Sequence, residues 1–473
     1  MEFLKDIALP QPAEHVQLLL FMLNLVLITL LPYFGFMLGA STLSLLFRRR
    51  ARSTSQRERG NRRVVDESGD PLELRFSRDL ITTAVFSKSG VTFLAVIPAL
   101  TLVFLLAQFL QSTPAIAASL MGFGFLALLA SAILLYAYAY TFRLSGILRA
   151  VDASPGGTTE ELRNAIAANE HVHGRTGRWG LICAYTASIL LVGSITVVGN
   201  PQDWADMETV FDLFLSAEFW LRYGQFLAVA AGATGVGILF FFLSWRGGMA
   251  DPAEAYGQLI IKTGVRLGGA SLLLLPIFIV GTIALTPVQG LSGVVFGLTA
   301  LSITFLFITA HMVYAYWKEG RSGYVSYAFF ALGIALVLLF TKDQVAISNA
   351  VQEHAVNLAS VAEKEREDLK SRLGIVAKAM SGADIYNAKC SACHMFDQKR
   401  IGPPYKEVIP KYQGKMAELV AFIMNPVKVN PAYPNMPNQG LKPAEADSIA
   451  HYLVEKVMGK PSPPSAAQPK PNP

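Results

Sequence analysis

The residues of this chain best spaced for chemistry are Cys390-Ser391-Ala392-Cys393-His394, with Met436-Pro437 downstream as their best-placed partner. A C-x-x-C-H run is the attachment signature of a c-type haem: two thiols form thioethers to the vinyl groups and the adjacent imidazole binds iron. Cys390 and Cys393 are therefore the expected covalent anchors of one haem c, with His394 and Met436 as the expected iron ligands. Reading the run as a zinc or redox-thiol site would need further ligands or a thioredoxin-like context, and the sequence offers neither. Cys183 lies in an apolar run, so no structural disulfide is implied.

Other methionines compete less well for the iron. Met395 is adjacent to His394 and cannot reach the opposite haem face, while Met416 and Met424 stand at helical spacing, where core filling is the natural role. Met458 follows the last helix of the segment, and His451 reads as a solvated surface residue. A His/Met-ligated iron has a raised potential and no open position, which suits outer-sphere electron transfer.

The segment from residue 382 to 460 resembles a class I cytochrome c throughout its length. Gly382-Ala383-Asp384-Ile385-Tyr386 is similar to the family's first helix, and Ile401-Gly402-Pro403-Pro404-Tyr405 to its Gly-Pro loop. The resemblance implies that a backbone carbonyl of this loop accepts a hydrogen bond from the His394 ring and fixes its tautomer. Met436-Pro437 followed by Leu441, Glu445, Ile449, Tyr452 and Leu453 is similar to the passage from axial methionine into the closing helix. That helix has its own start signals, Pro443 at the front and Glu445 and Asp447 in the first turn.

What carries this segment is a membrane body. The 473 residues are 52% hydrophobic and only 16% charged, and the mean hydropathy is positive. Eight apolar runs of spanning length are expected: Gln17–Phe47, Ile81–Leu110, Pro114–Phe142, Leu181–Val198, Gln225–Trp245, Ser271–Leu285, Val294–Tyr316 and Tyr324–Phe340. The fold class is thus all-α, a polytopic bundle over residues 1–343 followed by a small all-α cytochrome c domain. The net charge of +6 does not point to nucleic acid, because its arginines crowd one loop, where the positive-inside rule explains them. Arg48, Arg49, Arg50, Arg52, Arg57, Arg59, Arg62, Arg63, Arg75 and Arg78 mark that loop as cytoplasmic. Eight crossings then place both the N-terminus and the haem domain on the periplasmic side of a bacterial inner membrane, where c-type haem is attached. The front end carries Glu2, Asp6 and Glu14 rather than a cationic stretch, so the first helix is expected to be retained.

Between Pro201 and Tyr223, aromatic and acidic residues alternate as in a helix lying in the interface, an ordinary loop being the alternative. Residues 344–381 read as a helical stalk, and the Pro-rich tail 461–473 as disordered. Lys88 is the one clear internal charge of the second span. His15 and His311 sit near helix ends, His171 and His173 in an expected cytoplasmic loop, and His354 in the stalk. No pair of them faces across two helices as bis-histidine b-type haem requires, so haem b is not expected.

From Ser188 to Gly248 the chain resembles subunit I of the cytochrome bd-type quinol oxidases. A helix ends in Val198-Gly199-Asn200-Pro201, an outer segment carries Phe211, Leu213 and Phe214, and the next helix runs from Ala230-Ala231-Gly232-Ala233-Thr234-Gly235 to Trp245-Arg246-Gly247. The opening helix, with Gln17 and Pro32, matches more weakly. Where that family ligates haem from its first and fifth helices, this chain has apolar residues around Leu25 and Leu227. It also lacks carboxylates between Pro114 and Phe142, and a short turn at Pro287-Val288-Gln289-Gly290 replaces the quinol-binding loop.

The expected function is a membrane-anchored c-type cytochrome relaying electrons within a bd-like respiratory complex, not catalytic alone, paired with a complete bd-like subunit and a soluble periplasmic carrier. Competing readings are a quinol-oxidising subunit with b haems and a redox-sensing assembly subunit. Lys389, Lys399, Arg400, Lys406, Lys411 and Lys415 are candidates for a basic rim that steers an acidic partner, a solvated face being the equal alternative.

Overall fold

A computed structural model describes residues 11–57, 71–85, 87–111, 113–152, 154, 159–373 and 380–459. Arg59, Arg62, Arg63 and the Pro-rich tail lie outside the described residues, as do Glu2 and Asp6. Among the described residues every regular element is helical, and eight helices are long and apolar enough to span a membrane. The chain divides into two units, Met1–Glu363 and Lys364–Pro473.

The spans are α1 (Ala13–Arg57), α3 (Lys88–Phe109), α4 (Ala117–Asp152), α5 (Glu160–Val198), α7 (Ala217–Leu243), α8 (Ala255–Leu285), α9 (Gly293–Glu319) and α10 (Ser322–Ala350), with α2 (Leu72–Ala84) and α6 (Val210–Leu215) between them. Their ends are set by local chemistry. Thr159 caps α5 by accepting from the Leu162 amide at 3.2 Å, and Glu160 and Glu161 sit where the helix dipole favours acids. Ser216 caps α7 in the same way, and Gly320, at φ 70°, closes α9 in a left-handed turn that a β-carbon would strain.

These ends correct several expected boundaries. The second span starts at Lys88, because Ile81–Ala84 belong to the separate helix α2, so Lys88 stands at a helix start rather than inside the span, its Nζ 5.3 Å from the Tyr136 ring centroid. The fourth span starts at Glu160, not Leu181, which puts His171 and His173 on a helix instead of in a loop. His171 is exposed, but His173 is buried, stacked on Tyr138 with ring centroids 4.4 Å apart and its Nδ1 2.6 Å from Thr141 Oγ1. His15 and His311 are exposed. The interfacial segment ends at Leu215, where Phe211 and Leu215 stay exposed, and Ala217 already opens α7. Residues 344–350 continue α10, and after a break at Val351 a further helix, α11 (Gln352–Arg372), begins. Its His354 Nε2 lies 2.7 Å from the Phe109 carbonyl, between the Phe109 and Trp204 rings.

α7 is the central helix of the bundle, with 78% of its apolar window buried. Small residues let its neighbours close on it: a β-carbon on Gly235 would fall on the backbone of Gly268 in α8. Hydroxyls tie two further pairs, α4 to α5 by Ser131 donating to the Gly180 carbonyl at 2.9 Å and Ser194 to Ala117 at 2.8 Å, and α9 to α10 by Ser302 donating to Ala335 at 2.9 Å.

At one end of the bundle lies a buried charge network that the sequence reading missed. Arg222 Nε donates to Glu218 Oε1 at 2.6 Å, and Asn200 Nδ2 to Glu218 Oε2 at 2.7 Å. Lys342, only 2% exposed, pairs with Asp343, which also accepts from Gln225 at 3.0 Å; Thr282 donates to Gln225 at 3.1 Å. A cavity of about 40 Å³ beside Arg222, Gln225 and Asp343 is large enough for water, which needs roughly 10–15 Å³ and two to four polar partners. Two cations and two anions balance, so removing one charge leaves its partner unpaired. Arg222→Leu should cost about 3–5 kcal/mol and lower the thermal midpoint of the purified chain, while Glu218→Leu/Arg222→Leu together should cost less than either alone; a neutral single variant would refute the network's role.

Candidate haem site

The C-terminal unit presents its chemistry on a short helical turn. Ser381 and Asp384 form a reciprocal cap, Ser381 Oγ accepting from the Asp384 amide at 3.2 Å and Asp384 accepting from the Ser381 amide at 3.2 Å. The helix α12 (Gly382–Ile385) then widens at Tyr386–Cys390, where the Ser391 amide reaches back to the Tyr386 carbonyl at 2.8 Å. The next turn carries Cys393 and His394, whose amides both donate to the Cys390 carbonyl at 3.1 and 3.0 Å. All three motif side chains are thus held by backbone bonds of one continuous stretch.

The Gly-Pro loop folds back on this turn, the Gly402 amide donating to the Cys393 carbonyl at 2.8 Å. It leaves the Pro403 carbonyl 2.9 Å from His394 Nδ1. A carbonyl can only accept, so Nδ1 carries the proton and Nε2 keeps its lone pair for a metal. Tyr405 stacks on the imidazole at 4.9 Å and 18°, and the Tyr386 hydroxyl donates to the His394 carbonyl at 3.2 Å. Gly402 makes the approach possible, because a β-carbon there would overlap the His394 ring.

Cys390, His394 and Met436 line one cavity of about 250 Å³. Its walls are apolar, with Ile409, Leu419, Ile423, Leu441, Ile449 and Leu453 drawn from successive elements, including α14 (Met416–Met424) and α15 (Pro443–Met458); α13 (Tyr405–Val408) contributes Tyr405. Cys393 is half-buried in the same turn as Cys390. Burial pushes the Cys390 thiol up, so the thiol is neutral before attachment. Burial does the same to the Tyr405 hydroxyl. Among the described residues no three His, Cys, Asp or Glu side chains converge as a metal site. A flat apolar group that brings its own ring ligands fits these walls, with one imidazole and one thioether available from the chain.

Met416 and Met424 pack against the unit's core rather than lining the cavity, Met395 is 41% exposed, and His451 lies 3.7 Å from Asp447. The basic residues proposed as a rim are engaged separately. Lys406 pairs with Asp397, Lys415 with Glu418 at 3.3 Å, Arg400 donates to the Ser391 carbonyl at 2.8 Å, and Lys389 to Gln439 at 3.3 Å. Lys399 sits over the Tyr433 ring, and Lys411 lines the cavity.

Residues 377–453 match the family model described as cytochrome C oxidase, cbb3-type, subunit III. Cytochrome c-551 of Pseudomonas denitrificans is 35% identical over 79 residues, 16% of this chain and 95% of that protein. The chain belongs to the cytochrome c family. Cytochrome c-551 of Azotobacter vinelandii gives the same picture, 33% identical over 78 residues, 16% of this chain and 95% of its own. The cytochrome c domain accordingly carries covalently bound haem c, and it follows a multi-pass membrane unit in the chain. Within this domain Gly402 cannot take added bulk unless the His394 ring shifts. Gly402→Ala should displace the imidazole from Pro403 and reduce covalent haem yield severalfold, read by haem staining at equal protein; unchanged yield and spectrum would show that the loop yields without effect.

Proposed function

We propose that this chain is a membrane-anchored c-type cytochrome that relays electrons within a bd-like respiratory complex on the periplasmic side of a bacterial inner membrane. The observation that carries the reading is the His394 Nδ1 to Pro403 contact, which aims Nε2 toward a cavity shared with Cys390 and Met436. In this assignment Cys390 and Cys393 hold the haem by thioethers, and His394 and Met436 ligate its iron. The bound haem supplies a one-electron couple. The chain's residues do the rest: Pro403 and Tyr405 hold the imidazole in one orientation, and the apolar wall keeps water from the ring, which favours a raised potential.

Several observations support the membrane setting. Spans of even number return the chain to its starting side, and the arginines after α1 favour the cytoplasm for the first connection. The matching family is described as an oxidase subunit, which fits a respiratory role. The bd-like part of the reading, with its bd-like catalytic partner, rests on the Ser188–Gly248 pattern, and a soluble periplasmic carrier is its electron-transfer partner.

Two measurements test the reading. A pyridine haemochrome spectrum of the purified chain should show haem c without haem b; stoichiometric haem b would overturn the relay reading in favour of a quinol-oxidising subunit. Met436→Ala should keep covalent haem, abolish the sulfur-to-iron charge-transfer band and lower the midpoint potential by on the order of 0.1 V, a fraction of the roughly 0.8 V that axial ligands span. An unchanged band would exclude Met436 as the ligand.

A further inference from the structure

At the arginine-bearing end of the membrane unit, α1, α4 and α5 close round a buried polar cluster that electron transfer does not use. Tyr138 is fully buried and stacks on His173, whose Nδ1 meets Thr141, while the Tyr138 hydroxyl lies 3.3 Å from Ser44. Arg48 sits with its guanidinium carbon 5.8 Å from the Tyr138 ring centroid and is 6% exposed. One of its terminal nitrogens, Nη2, is buried with no hydrogen-bond partner. Across the same cluster, Asn169 donates to the Thr141 carbonyl at 3.2 Å and to Ser145 at 2.7 Å, yet its Oδ1 is buried with no donor.

The cluster thus holds an orphaned cationic donor and an orphaned neutral acceptor. A buried guanidinium donor left without an acceptor is unfavourable. Arg52 and Arg149 add positive charge around His173, and Glu170 is the acid that acts on Arg48. The open Arg48 donor calls for an acceptor from outside the chain. Arg48 directly follows the apolar run of α1, which puts it at headgroup depth, and Tyr140 and Trp179 stay exposed on α4 and α5 toward the same end, as interfacial aromatics do.

We propose that this cluster binds the headgroup of an anionic phospholipid of the phosphatidylglycerol class, with phosphate oxygens accepting from Arg48 and a glycerol hydroxyl donating to Asn169. Basic clefts between spanning helices on the cytoplasmic side suit such lipids, and a charge-assisted bond to phosphate satisfies the open Arg48 donor. The site is separate from the haem and needs no redox step.

The test uses the full purified chain after delipidation, with phosphatidylglycerol, phosphatidic acid, phosphatidylcholine or inorganic phosphate added back. Native mass spectrometry should show retained phosphatidylglycerol, and the thermal midpoint should rise with it but not with phosphatidylcholine. Arg48→Met should weaken retention about tenfold, the loss expected for one charge-assisted bond, while leaving the delipidated chain no less stable. Asn169→Leu should remove the preference for phosphatidylglycerol over phosphatidic acid, and it decides the case if Arg48→Met fails to fold. Equal stabilisation by phosphatidylcholine, undiminished retention by Arg48→Met, or full stabilisation by inorganic phosphate alone would each overturn the lipid assignment.

Discussion

Hydrocarbon offers a backbone no hydrogen-bond partner, and the membrane unit follows from that constraint. Every amide in a span must be satisfied by its own helix, so the chain has no freedom to form strands or loose loops there. What remains adjustable is how helices end and how they touch. Ends are fixed by Thr159, Ser216 and Ser292 side chains and by the left-handed turn at Gly320. Contacts are fixed by close backbone approach at Gly235 and by single hydroxyls such as Ser131 and Ser302 reaching a neighbour's carbonyl.

The cytochrome c domain solves a different problem with water on its outside. Its core is small, and the residues around the cavity come from elements far apart in sequence, Cys390 from the first turn and Leu453 from the last helix. Such a shell holds its shape only if the cavity is filled, because an empty apolar space forfeits contacts on every wall. The same group that supplies the redox couple therefore completes the core, which links electron transfer to folding in one set of residues.

The legible parts of the sequence were those written contiguously. Cys390, Cys393 and His394 stand side by side, the Gly-Pro loop follows within ten residues of them, and the spans declare themselves by hydropathy. The missed parts depend on partners distant in sequence. Hydropathy ended the last span at Phe340 because Lys342 and Asp343 look soluble, whereas their mutual pairing keeps them inside α10. By the same logic Glu218 looks interfacial and His173 looks like a loop residue, since neither Asn200 nor Thr141 is visible as a partner until the helices pack. In sequence Tyr405 is part of a loop motif, and its stacking on His394 emerges only from the fold.

The buried charges also bear on how the protein enters its membrane. Glu218 and Arg222 are one turn apart on α7, and Lys342 and Asp343 are neighbours on α10. Each helix therefore carries its own counter-ion and can leave the insertion machinery electrically neutral, before any other helix has arrived. The bond from Gln225 to Asp343, which joins the two helices, involves a neutral amide on one side and can form late. Charge compensation is built into single helices, and only the hydrogen bonding between them waits for assembly.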